Sequence, residues 1–206
     1  MTSETVDYPV RFDITRDAAQ SKLTNFPLGI GYFIRAILLI PHYIVVSLFG
    51  IVAYVLYFIA TFAILFSGKY PAGMYNLVVA YVRWNARVSA YGSSLFDKYP
   101  AFSGDEDPAT SLSFTVDYPE QSSKLLNFPL IGVWIKTILL IPHIIVVAFL
   151  AIAMFVVIFI AQFAILFSGS FPEGMHSFCV GVSRWSTRLT AYTFGLTDKY
   201  PPFSTK

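Results

Sequence analysis

The chain has 206 residues, of which 56% are hydrophobic and only 13% charged, about half the charged share of an ordinary soluble domain. Its 14 basic and 12 acidic residues leave a net charge of +2, too balanced for a nucleic-acid partner. The single cysteine, Cys179, excludes an internal disulfide or a thiolate metal cage and reads as a small apolar filler. So apolar a chain belongs among membrane lipids. Its opening residues, Met1 to Pro9, carry neither a basic n-region nor a short apolar core, so the first hydrophobic segment is expected to serve as its own insertion signal.

The text is written twice. Lys22 to Ser103 recurs as Lys124 to Ser204, at an offset of 102 that drops to 101 after one deletion near Gly31. The domains are therefore two tandem repeats, 1–103 and 104–206. Each begins with a polar lead holding a short alternating run, Val10 to Ile14 and Leu112 to Val116, whose period of two suggests strands that pair with each other across the repeat axis.

An unbroken apolar run follows, 28–66 in the first copy and 130–167 in the second. One straight helix of that length would extend nearly 60 Å, about twice the hydrocarbon thickness of a bilayer, so a break is expected. Pro41-His42 and Pro142-His143 mark the place, because proline removes a helical donor and disfavours helix in the residue before it. Two geometries fit: a helical hairpin with its tip at Pro-His, or an interfacial first limb followed by one span. The hairpin gathers twelve of the fourteen basic residues on one face, as the positive-inside rule favours, and leaves Arg35 and Lys136 to snorkel back to that face. It predicts a multi-pass protein of parallel repeats, with both termini cytoplasmic.

Within the second limb, Thr61 and Gln162 are equivalent polar positions flanked by Ala60, Ala63, Ala161 and Ala164. Small residues at this spacing let helices approach closely in lipid, and a Thr–Gln hydrogen bond would join them. A ligand or pore site there is the competing reading.

Next come segments 72–96 and 173–197. Leu77, Tyr81, Trp84, Val88, Tyr91 and Leu95 recur at alternating spacings of 4 and 3, as do Phe178, Val182, Trp185, Leu189, Tyr192 and Leu196. Arg83, Arg87, Arg184 and Arg188 border these stripes. A spanning segment with two central arginines would cost about 5–7 kcal/mol on the insertion scale. Amphipathic helices lying in the cytoplasmic interface, aromatic side down, are expected instead. Trp84, Trp185, Tyr91, Tyr192 and the four arginines are then candidate contacts for lipid phosphate or an anionic partner, against the plainer reading of a solvated flank.

The Leu-Phe-Ser-Gly that closes each long helix, the Arg-Trp and Tyr of the next, and the terminal Asp-Lys-Tyr-Pro-x-Phe-Ser together resemble an uncharacterised bacterial membrane-protein family, a domain of unknown function found in one or two copies. The resemblance covers essentially the whole chain. It implies a bacterial inner-membrane location and supplies no catalytic residues.

Chemistry must rest on the residues themselves. There is no Asp or Glu between Ala18 and Phe96, and between Gln121 and Thr197 only Glu173, so paired carboxylates, metal motifs and nucleophile elbows are missing. His42 and His143, as symmetry equivalents, are the one candidate pair of ligands for a metal, haem or chlorin, with turn residues at the membrane surface as the favoured reading. The expected fold is an all-α integral membrane protein with no cofactor. The expected function is a non-catalytic accessory or scaffold subunit, not an enzyme, that packs against a larger membrane complex, associates with itself or organises lipid. A small transporter or channel on the repeat axis is the alternative.

Overall fold

A computed structural model describes residues 8–206; the reading of the opening residues as signal-free, and the placement of the N-terminus, lie outside this range. In chain order the elements are β1 (Val10–Ile14), α1 (Ile30–Leu38), α2 (Ile40–Ser67), α3 (Ala72–Gly92), β2 (Leu112–Val116), α4 (Ile131–Ser168) and α5 (Glu173–Thr193). The tandem repeat is therefore also a structural one.

The expected hairpin at Pro-His does not form. Helix α4 runs unbroken through Pro142, and in the first copy only Leu39, itself in helical conformation, separates α1 from α2. Pro41 sits in the first turn of α2, where its missing donor costs least. In α4 the proline forfeits one hydrogen bond, whereas a reversal in apolar surroundings would orphan several backbone groups. Each run is thus one rod. By residue count α2 extends about 42 Å and α4 about 57 Å.

Gly68 and Gly169 end the rods in left-handed conformation, φ 71° and 76°, which explains the Ser-Gly of the repeated motif as a helix stop. The chain then reverses, so α3 lies back along α2 and α5 along α4. The buried face of α2 includes His42, Val46, Gly50, Ala53, Tyr57, Ala60 and Ile64, at spacings of 3 and 4. Gly50 belongs there because a Cβ would stand 3.1 Å from the Tyr81 ring.

The strands pair antiparallel, with Phe12 opposite Phe114 at the centre of the ladder. Each strand, however, packs on the helix of the other copy: β1 lies on α5 and β2 on α3. The lead loops are exchanged as well. Gln20 N–H donates to the Gly169 carbonyl at the end of α4, and Ser122 N–H to the Gly68 carbonyl at the end of α2, both at 2.8 Å.

These contacts set the direction of the rods. The C-terminal half of α2 meets the start of α4 through Tyr57 and Lys136, while the C-terminal half of α4 shares the walls of one cavity with Gly29 and with Tyr32 of α1. The rods therefore run antiparallel, related by a pseudo-twofold axis perpendicular to their length. Three layers result: the two-stranded sheet, then α3 and α5, then the rods. The sheet turns Val10, Phe12, Ile14, Leu112 and Phe114 inward and Arg11, Asp13, Ser113 and Thr115 outward. Most of the exposed large hydrophobic residues, by contrast, lie on the rods, among them Ile51, Phe149, Ile152 and Phe155.

Candidate functional site

Arg35 and Lys136 do not snorkel; both side chains are buried in the protein. A buried charge persists only when paired and fully hydrogen-bonded, and the carboxylate comes from the repeated tail motif. Arg35 donates through Nη1 to the Tyr91 and Phe96 carbonyls at 2.8 and 3.0 Å, through Nε to the Thr24 carbonyl at 2.9 Å, and through Nη2 to Asn25 and Asp97. Lys136 donates to Asn127 Oδ1 at 2.7 Å and to the Tyr57 hydroxyl at 3.1 Å, with Asp198 4.0 Å away. Sequence reasoning missed Asp97 and Asp198 as the partners; the signal that could have found them is that each lone cation of an apolar run recurs at the equivalent position, and so does each tail aspartate.

His42 and His143 are core residues, a correction to their expected place in a surface turn. Trp84 Nε1–H donates to His42 Nδ1 at 3.1 Å, the other ring nitrogen lies 3.1 Å from the Pro100 carbonyl, and Phe102 stacks on the imidazole at 3.8 Å between centroids. Trp185, His143 and Phe203 repeat this box, with the donor at 3.0 Å and the stack at 3.7 Å. Both nitrogens of His42 are occupied by protein, while His143 Nε2 is buried without a partner among the described residues. Each ring sits in the box of its own repeat, so the two do not converge as a ligand pair. Among the described residues no group of three His, Cys, Asp or Glu side chains gathers as a metal site.

The amphipathic helices also differ from expectation. Trp84, Trp185, Tyr91 and Tyr192 are buried within the protein rather than turned to lipid, because the rods supply the apolar surface that the stripes cover. The four arginines hold carbonyls of the chain itself. Arg83 donates to Phe114 O and Gly104 O, and Arg184 to Phe12 O and Thr205 O. Arg87 takes the Ser103 and Asp105 carbonyls, and Arg188 those of Ser204 and Lys206. Burial lowers the pKa of Arg87, with Asp107 and Asp105 opposing, and burial with the neighbouring Arg184 lowers that of Arg188. Their donors thus clamp each tail and the exchanged strand.

Ala60 and Ala161 are fully buried, Ala63 and Ala164 half-buried at the edge of the same packing. Thr61 and Gln162 do not bond each other: Thr61 Oγ1 donates to Phe58 O in its own helix, at 2.6 Å. Gln162, 3% exposed, has no hydrogen bond from its amide among the described residues and lines a cavity beside Ser93.

The fold is that of a tandem-repeat helical protein whose halves exchange their leads and whose rods are long and apolar enough to cross a membrane. Residues 30–104 and 131–205 each match the family described as Domain of unknown function (DUF4389), and the chain belongs to that family. No curated protein and no solved structure matches it.

Proposed function

We propose that the protein is a non-catalytic scaffold of the bacterial cytoplasmic membrane, with both rods sunk along the plane of one leaflet and the polar sheet facing the cytoplasm. The observation that carries this reading is the segregation of surfaces along the twofold axis, with exposed hydrophobic side chains on the rods at one end and charged ones on the sheet at the other. If the rods crossed the bilayer instead, the axis would lie in the membrane plane and the sheet would sit at mid-depth. The outward Arg11–Asp117 ion pair, more than half exposed on both sides, would then face hydrocarbon at about 2.5–3.5 kcal/mol per residue. Lying flat keeps that pair in water. Arg35, Lys136, the four arginines of α3 and α5 and the three histidines bond groups of the chain itself, which suits a body that presents surfaces rather than reacts. The sheet is the surface left for a partner complex or a second copy.

Spin labels test this arrangement. At positions 51 and 152 they should be relaxed by oxygen, which concentrates in lipid, and at positions 11 and 113 by a water-soluble nickel chelate. Oxygen relaxation at all four would overturn it.

A further inference from the structure

The two halves have diverged at one place. Where the middle of α2 crosses the end of α5, four aromatic rings fill the space: Phe194 lies 4.6 Å from Tyr54, 5.5 Å from Tyr81 and 6.1 Å from Tyr57 between centroids. At the symmetric crossing, of α4 with the end of α3, the equivalent residues are Ser93, Phe155, Val182 and Ile158. The plug is gone. A cavity of about 320 Å³ stands there, within the range of ligand sites, walled by Ala151, Met154, Phe155, Ile158 and Phe159. No residue of α4 between His143 and Ala161 is buried, whereas α2 is buried at regular spacing along its whole length.

Two features say what the cavity would take. First, Gln162 is 3% exposed as a residue and lines it with an amide that has no partner among the described residues, which leaves both its donor and its acceptor available to a ligand. Its counterpart Thr61 satisfies itself within its own helix. Second, the cavity continues at Ser93 into a crevice of about 200 Å³ between α3 and α5, lined by Asn85, Ser89, Ser186 and Thr190. Neither compartment is lined by an Asp, Glu, Lys, Arg or His side chain. An apolar chamber joined to an uncharged hydroxyl-lined one matches an amphiphile with one chain and a neutral head. Phe155 and Phe159 at the rim are exposed on the lipid-facing rod, so entry would be from the membrane.

We propose that this protein binds one uncharged single-chain lipid, of the monoacylglycerol class, at the α3–α4 crossing of one half only. The site does not depend on the scaffold role. The aromatic plug of the other half provides the test, because Ser93→Phe introduces the ring already accommodated at position 194. Native mass spectrometry of the purified full chain, titrated with a long-chain monoacylglycerol, should show one bound molecule. Ser93→Phe should abolish that adduct while leaving the melting temperature unchanged or higher. Gln162→Leu should weaken binding about tenfold, a loss of one hydrogen bond of roughly 1.4 kcal/mol. A fatty-acid anion of equal chain length should bind at least tenfold more weakly, since no cation lines the site. No adduct with the wild type, an undiminished adduct with folded Ser93→Phe, or equal binding of the anion would overturn the proposal.

Discussion

Arg184 donates from Nε to the carbonyl of Phe12 at 2.7 Å, across 172 positions of the chain, and Arg83 makes the matching bond to Phe114 at 3.2 Å. The strand of each copy is thus clamped by the helix of the other. Tyr75 and His176, which occupy equivalent positions, reach across in the same way: the tyrosine hydroxyl bonds the Leu196 carbonyl at 3.3 Å, and the imidazole Nε2 lies 3.1 Å from that of Leu95. A repeat lifted out alone would lose its strand partner and leave these buried carbonyls orphaned. Duplication has produced one folding unit.

Breaking the buried ion pair should be costly. Asp97→Ala leaves the Arg35 guanidinium buried without its anion, and removing one member of such a pair destabilises by about 3–5 kcal/mol. Asp198→Ala should cost less, because Asp198 stands 4.0 Å from Lys136, beyond hydrogen-bond reach, whereas Asp97 accepts directly from Arg35. Thermal melts in detergent will rank the two; equal losses would contradict the contact distances.

The histidine boxes should be structural and unequal. His42→Ala strands the Trp84 indole N–H and the Pro100 carbonyl, and each buried orphan costs roughly 1–3 kcal/mol. His143→Ala strands Trp185 alone and also removes an unsatisfied Nε2, so its penalty should be smaller. Tryptophan fluorescence during unfolding would measure both.

Cys179 should be inert in the native state. Burial pushes its thiol up to about 12, so almost no thiolate exists at pH 8, and a maleimide should label it only after denaturation. Because the folded value is raised, the stability linked to this group is complete below about pH 8.5 and is lost as pH climbs toward the folded value. Rapid labelling of the folded protein at neutral pH would refute the packing of α5.

His176 should make the fold sensitive to acid. Burial holds its pKa below the ordinary value, helped by Arg16, while the Leu95 carbonyl, Asp17 and Asp13 pull the other way. A depressed folded pKa means that the unfolded chain binds the proton first, so this stability is present above about pH 6.5 and is lost as pH falls through the folded value. His176→Tyr installs the residue found at position 75 and should flatten the melting temperature between pH 7 and 5. An unchanged slope would place the acid sensitivity elsewhere.

Much of this was legible in the residues. The duplication, the paired strands and the glycine stops follow from offset and periodicity alone, and the 4–3 stripes hold from Trp84 and Trp185 onward, whereas Leu77 at the start of the first is exposed and Val78, Val79 and Val82 are buried beside it. The errors share a cause. Pro41 and Pro142 read as breaks because local propensity was weighed without the cost of orphaning backbone in apolar surroundings, and the aromatic stripes read as lipid-facing because nothing in the sequence says that α3 folds back on α2. Arg83 and Arg184 read as free for phosphate because the exchange of strands between copies leaves no local signature. Ser93 opposite Phe194 was visible as a difference between copies, but its meaning required the crossing that brings Phe194 to Tyr54.

Sidedness at Lys69 and Ser170 tests the central claim most directly. These are equivalent positions just beyond the ends of the antiparallel rods, at opposite ends of the molecule. In a Cys179→Ser background, Lys69→Cys and Ser170→Cys would each be probed with a membrane-impermeant maleimide in right-side-out and inverted vesicles. Rods lying along one leaflet predict that both positions label only from the cytoplasmic face. Labelling of the two from opposite faces would mean that the rods cross the bilayer in inverted orientation, and would contradict the account.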